Sequence, residues 1–337
     1  MSIVKIAELA GVGLGTVSRY INGNGSVSKD KAERIAQAMK ALNYKPRIRR
    51  PGPKTKGREG VRTGTILLLI IGHYSPQQLM KMPAYPTLFG SIQATLFNSG
   101  LALLVQHIPS GNDIPEMLDP RFCDGVIVMM TVPCQLSQYL QDQLQNLPSV
   151  WCFRQQNNPL DPLFDRIYFD NSAIGGLAVD YLQQRNHRCI GCFNTEPHHP
   201  AFQERVESFR ERGLALGLDV KLYVGEDSRK LADQLMQSDT LPTGIFCCAD
   251  NILLTMRMEL AQRGLRVDEL DMVGCNNEAQ FLDLISPRPA SIDPGFEKIG
   301  ELTVQRLLER INGTATDVPR EVIIQPQLIP GETGNSL

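Results

Sequence analysis

Apolar residues recur at helical spacing through the first 45 or so positions of this chain. Ile3, Ile6, Ala7 and Ala10 share a face of a helix that Ser2 can cap and that Gly11 can end in the left-handed conformation. A second helix is expected from about Leu14 to Asn22, with Val17 and Ile21 inward, Thr16, Ser18, Arg19 and Asn22 outward, and Gly23-Asn24-Gly25 as its breaker. Ser28 caps a third, whose inward face reads Ala32, Ile35, Ala36, Met39 and Leu42. Three short helices around a few aliphatic side chains describe an all-α helix-turn-helix head, whose second helix enters the major groove of DNA.

From Thr65 the pattern changes to apolar runs alternating with amphipathic stretches, the signature of parallel-sheet α/β lobes. Expected strands are Thr65–Ile71, Leu101–His107, Gly125–Met130, Ser149–Phe153, Arg166–Phe169, Cys189–Phe193, Gly244–Ala249, Asp271–Gly274 and Glu321–Ile324. Expected helices are Phe89–Ser99, Ile174–Gln184, Ala201–Leu216, Asn251–Arg263 and Pro294–Ile311. Several strands run directly into polar residues, and open parallel sheets bind ligands beyond the carboxyl ends of their strands. A chain of 337 residues is also long enough to divide into two or three domains.

Charge separates the two parts. Residues 1–62 hold seven lysines and seven arginines against four acidic residues, a net +10, while the remainder, with 20 basic and 32 acidic residues, is at −12. A basic head on an acidic body is the footprint of a phosphate-backbone binder that avoids non-specific adhesion elsewhere. Met1-Ser2-Ile3-Val4 leads straight into a helical pattern without a signal sequence, and the longest apolar run, Ile66 to Ile71, is far too short for a membrane span. The expectation is a cytoplasmic protein whose eight cysteines are thiols.

Other chemistries are expected to be absent. Gly11-Val12-Gly13-Leu14-Gly15 has a helix rather than a strand before it and Thr16 where a dinucleotide loop needs its last glycine. Cys189 and Cys192 have C-x-x-C spacing but sit in a predicted strand without a second pair, and His198-His199 falls between prolines, so neither reads as a metal site. No G-x-S-x-G, H-E-x-x-H or phosphate-loop pattern occurs, and neither an enzyme nor a cofactor is expected. The alternative, a small-molecule-binding α/β protein or enzyme whose basic head has a non-regulatory role, is separated from a regulator by removing residues 1–60.

Ala10-Gly11-Val12, Thr16-Val17-Ser18-Arg19, Ile21-Asn22-Gly23, Val27-Ser28 and Asn43-Tyr44 with Pro46 resemble the head of the lactose/galactose repressor (LacI/GalR) family. The resemblance implies that Thr16, Ser18 and Asn22 contact phosphates, that Arg19 reaches a base edge, and that positions 14 and 15 read sequence; Ser28 joins the same DNA-binding set. Leu14 can offer only apolar contact and Gly15 no side chain, so Arg19 carries more of the readout. The linker departs from the family's hinge helix, reading Pro46-Arg47-Ile48-Arg49-Arg50-Pro51-Gly52-Pro53-Lys54, and its prolines oppose a helix. Arg47, Arg49 and Arg50 either lie extended in a narrow minor groove or form a solvated basic tether.

In the body, Asp170-Asn171 with Gly175-Gly176, His187, Arg205-x-x-Ser208-Phe209, Pro242-Thr243-Gly244-Ile245-Phe246, Gly264 and Ser291-Ile292-Asp293 to Gly300 extend the resemblance. It implies a two-lobed, periplasmic-binding-protein-like (type I) body. Expected domains are a head at 1–46, a basic Pro/Gly-rich hinge linker at 47–62 and an effector-binding and dimerisation domain at 63–337. Within the last, the N-lobe spans about 63–163 and 294–317, and the C-lobe about 164–293 and 318–337. The family's effector positions fall on Tyr74, Phe89, Phe153, Arg154, Arg205, Asp250 and Asn276. Its Asn-Asp pair is Ala249-Asp250 here and its G-[FY]-D-D is Gly274-Cys275-Asn276-Asn277, so fewer carboxylates converge on sugar hydroxyls and an anionic ligand gains weight. The implied function is a homodimeric repressor binding a near-palindromic double-stranded DNA operator, with affinity set by a small-molecule effector (sugar, sugar phosphate or nucleoside) in the cleft, and with no membrane partner.

Overall fold

Helices α1 (Ile3–Ala10), α2 (Leu14–Asn22) and α3 (Lys29–Ala41) form the first of two units in the computed structural model, Met1–Lys54 and Thr55–Leu337. The residues described are 3–22, 27–42, 60–74, 76–82, 84–131, 134–153, 163–316 and 318–332. Ile6, Ala7, Ala10, Val17, Ile35 and Ala38 make a small core, flanked by Val12, Tyr20, Val27, Met39 and Leu42. Ala36, expected inside, is exposed: from Ile35 the buried stripe continues through Ala38, Met39 and Leu42 at i+3, i+4 and i+7, which leaves Ala36 about 100° off the face. Gly11 takes φ +59° as the α1 stop, and the Gly13 carbonyl accepts the Thr16 and Val17 N–H groups to start α2. Ser28 occupies the N-cap position of α3 with extended backbone, but its hydroxyl makes no capping bond, so the expected side-chain cap is absent.

The second unit runs, in chain order, β1 (Thr65–Ile71), α4 (Pro76–Leu79), α5 (Ala84–Asn98), β2 (Ala102–Ile108), β3 (Gly125–Met130), α6 (Gln138–Gln145), β4 (Ser149–Cys152) and β5 (Asp165–Phe169). It continues through α7 (Ser172–Gln184), β6 (Cys189–Asn194), α8 (Pro200–Ala215), β7 (Asp219–Val224), α9 (Ser228–Met236), β8 (Gly244–Cys247), α10 (Asp250–Gln262) and β9 (Asp271–Cys275). Then follow α11 (Ala279–Leu282), β10 (Ala290–Asp293), α12 (Phe296–Ile311), β11 (Glu321–Ile324) and β12 (Gln327–Ile329).

Two sheets result. One has the order β11-β5-β4-β3-β1-β2 and is parallel throughout; the other has the order β12-β10-β9-β8-β6-β7 and is parallel except at β10–β12. Ile66–Ile71 is buried on both faces because helices cover both sides of a parallel sheet, which is why the run is continuously apolar rather than alternating. The sheets correct the expected lobe boundaries. β5 pairs with β4, and β11 with β5, so both belong to the first lobe; only β12 at the end of the tail joins the second.

Close backbone approaches fix the helices that carry the polar strand ends. Gly175 on α7 lies so near α8 that an added Cβ would come 2.2 Å from the Arg205 carbonyl and 2.4 Å from the Phe209 nitrogen. Phe169 packs against the cores of both lobes, and with Phe153 and Phe296 it forms an edge-to-face cluster with centroids 5.4–6.2 Å apart. No helix among the described residues is long and apolar enough to cross a membrane.

Candidate functional site

In the head, α2 divides by exposure. Val17 is fully buried, Leu14 is 52% exposed, Gly15 and Arg19 are exposed and Thr16 is half-buried. Arg19 donates through Nε to the Gly15 carbonyl at 3.2 Å, while its two terminal nitrogens have no partner among the described residues. That leaves an exposed fork of donors of the kind that binds guanine O6 and N7 or a phosphate. The side chains of Ser18 and Asn22, and all of Arg47, Arg49 and Arg50, lie outside the described residues; Ser28 is exposed at the start of α3.

In the body, Asn171, Asn194, Asp250 and Asn276 follow or end β5, β6, β8 and β9, at the carboxyl ends of the strands where such sheets bind ligands. Arg205, on α8, is only 2% exposed. Its Nε donates to Asn171 Oδ1 at 2.9 Å and its Nη1 to the Cys248 carbonyl at 2.6 Å, with Asn276 Oδ1 3.5 Å away. The rings of Phe202 and Phe169 lie 5.1 and 6.0 Å from its guanidinium carbon. Asn171 is oriented in turn by donating to the Ala201 carbonyl and to Glu204. Arg205 forms no ion pair among the described residues, and Nη2 donates to none of them, so a buried cation is held by neutral oxygens alone. Desolvating a charge in this way is costly unless an opposite charge or further acceptors complete it.

Asp250 is fully buried, with both oxygens engaged: Oδ1 accepts from the Ser291 hydroxyl and Oδ2 from the Glu278 N–H, each at 2.8 Å. Gly274 permits this, since a Cβ there would stand 2.0 Å from Asp250 Oδ1. Burial pushes the Asp250 carboxyl up to about 7 against the lowering by its two hydrogen bonds. Glu278, 8% exposed, is likewise raised to about 7 by burial, with weak bonds from Asn276 and Gln280 opposing. Asn276 and Asn277 both have left-handed backbone, at φ +102° and +54°, a strained pair that the Ser291 hydroxyl and Asp293 hold in place.

Of the sequence-predicted ligand residues, Arg205 and Asn276 meet directly, and Asp250 supports them through Glu278. Phe153, at φ +69°, reaches the same region through Phe169. Tyr74 and Phe89 pack on the first lobe's core, and no hydrogen bond or ring contact among the described residues joins either to Arg205. Arg154 lies outside the described residues. Sequence reasoning misses Phe169, Phe202, Phe296 and Glu278 as parts of this region; the Asp170-Asn171 pair after a predicted strand is the available signal for Asn171.

Residues 2–47 match the family of bacterial regulatory proteins named for lacI, and residues 179–333 match a periplasmic binding protein-like domain. The chain is 28% identical to the HTH-type transcriptional repressor PurR of Vibrio cholerae serotype O1 (strain M66-2), over all of this chain and 98% of that protein. It is 27% identical to the PurR repressor of Pasteurella multocida over 97% of each. Among solved structures, the transcriptional regulator CelR–cellobiose complex superposes with a TM-score of 0.65 at 24% identity, over 99% of this chain and 100% of that one. The Lac repressor bound to ONPG gives 0.63 at 19% identity over 99% of each. At such identities the structural likeness is one of fold.

Proposed function

We propose that the chain is a transcription repressor of the LacI/GalR family that binds a near-palindromic operator as a dimer and releases or gains operator affinity when a small molecule occupies the second lobe's polar strand ends. Relatives of this kind are repressors rather than enzymes, and the proposed chemistry is binding alone. The observation that carries the reading is the split along α2, with Val17 locked in the core while Leu14, Gly15 and Arg19 are presented to solvent. Thr16, Ser18, Asn22 and Ser28 position the helix on phosphates, Arg19 reads a base edge, Leu14 meets a thymine methyl, and Arg47, Arg49 and Arg50 add linker contacts.

Solved neighbours give the ligand reading a precedent: one holds cellobiose, another ribose, and a lac repressor dimer is bound to operator and ONPF. Here the effector contacts are Arg205, Asn276, Phe153 and Arg154, with Tyr74 and Phe89 contributed by the first lobe and Asp250 fixing the turn. Coupling between effector and operator is reciprocal, so any compound that changes operator affinity must itself bind differently in the presence of operator. Capture of genomic fragments by purified protein at low salt, repeated with pools of metabolites, tests the reading. Recovery of a common sequence whose capture one pool alters supports it; capture of no fragment under any condition contradicts it.

A further inference from the structure

We propose that Arg205 and Glu278, a buried guanidinium and a buried carboxyl group separated by the Asn276 amide, recognise a small zwitterion, its anionic group on Arg205 and its protonated amine on Glu278, which keeps that carboxyl ionised. The proposal rests on the reading of this lobe as an effector site and names the ligand class that site takes.

Asn276 stands between the two groups: its Oδ1 is 3.5 Å from Arg205 Nη1 and its Nδ2 is 3.5 Å from Glu278 Oε2. Across an amide this places guanidinium and carboxylate within about 9 Å of each other without a direct pair. Both side chains are more than nine-tenths buried, and neither has a charged partner in an ion pair among the described residues. Among the described residues Glu278 accepts only the two long bonds from Asn276 and Gln280, at 3.5 and 3.3 Å, while its backbone N–H is spent on Asp250. If these charges served stability alone, the lower-energy arrangement would pair them directly, because a buried ion with neutral partners keeps most of its desolvation cost.

The turn enforces the separation. Successive left-handed residues at Asn276 and Asn277, pinned by Ser291 and Asp293, project the amide between the charges, and Asp250 anchors the backbone of the residue that carries the carboxylate. Two hydrogen-bond lengths of about 2.8 Å taken from this upper limit of about 9 Å leave at most a few ångströms between the ligand's own anionic and cationic atoms. Amino acids and amino-sugar phosphates have that geometry, whereas neutral sugars offer Glu278 no cation and plain sugar phosphates or hydroxy acids complement Arg205 only.

The test is a thermal-shift and calorimetric panel on the full chain with matched probes: the common L-amino acids and glucosamine 6-phosphate, their des-amino counterparts (2-hydroxy acids and glucose 6-phosphate), and the neutral sugars cellobiose and ribose. The expected result is that one amine-bearing probe binds at least ten-fold more tightly than its des-amino partner, and that Glu278→Gln removes this preference, as loss of a charge-assisted bond implies. The matched-probe comparison stands on wild-type protein even if the variant folds poorly. Equal binding of the des-amino partner, a preference that survives Glu278→Gln, or binding of neutral sugars only would overturn the zwitterion assignment while leaving the effector site intact. Silence across the whole panel overturns the zwitterion assignment, whereas the effector reading falls only if no metabolite pool alters fragment capture.

Discussion

Asp124 accepts the Gly64 N–H at 2.6 Å, and with it the N–H groups of Arg62 and Thr63 at 2.8 Å, so the chain enters β1 through a cap supplied from sixty positions downstream. Burial works against the charged carboxylate, but the bonds from Thr63, Arg62 and Gly64 together hold it below its ordinary value. Asp124→Ala leaves these donors without their acceptor and is expected to cost about 1–3 kcal/mol in urea unfolding. Because the folded value is depressed, the contribution of Asp124 is present above the unfolded value near 4 and disappears as pH falls through the folded one. The difference between wild type and Asp124→Ala should therefore shrink in acid.

Arg205→Lys keeps the charge but cannot reproduce a fork that serves Asn171 and Cys248 together. Effector affinity is expected to fall at least ten-fold, with operator binding in the absence of effector unchanged. Titration of effector into the protein–operator complex, followed by fluorescence anisotropy, reads both quantities.

Gly175→Ala places a methyl 2.2 Å from the Arg205 carbonyl and 2.3 Å from Ser208 Oγ. Helices α7 and α8 must separate to admit it, at about 1–3 kcal/mol. Thermal unfolding should show the loss, and effector affinity should weaken with it because Arg205 travels with α8.

Asp250 and Glu278 give the body an opposite pH response from Asp124. Their folded values, raised by burial to about 7, mean that the folded state binds more protons than the unfolded state between about pH 4 and 7. Stability from these groups is greatest below the unfolded value and falls as pH rises through 7. Between pH 6 and 8 each titrating carboxylate contributes about 1 kcal/mol of that change. Denaturation midpoints compared between wild type and Glu278→Gln should show a flatter profile for the variant as pH rises from about 4 through 7.

Burial governs how much of the fold is legible in the sequence. β1 and β3 can be read to the residue because a short, uninterrupted apolar run suits a strand covered on both faces, and Gly11 announces its own left-handed turn. β7 is hidden because it is an edge strand whose residues Asp219, Leu222 and Val224 face solvent, and α6 and α9 are short helices with only two or three buried positions each. The lobe boundary is obscured for a related reason: chain order cannot reveal that β5 and β11 return to the first sheet. In the candidate ligand region, Arg205 is legible as a forked cation, but the Cys248 carbonyl has no sequence signature and Glu278 is one acid among 36.

The proposed sequence-specific repression rests most directly on Arg19. Anisotropy titrations of a selected genomic fragment and a scrambled duplex, with wild type and Arg19→Ala at several salt concentrations, measure its role. The predicted outcome is a wild-type preference for the selected fragment that drops by about 1–3 kcal/mol in the variant, while weak salt-dependent binding to the scrambled duplex persists. Equal affinity of wild type for both duplexes, or a preference untouched by Arg19→Ala, would contradict it.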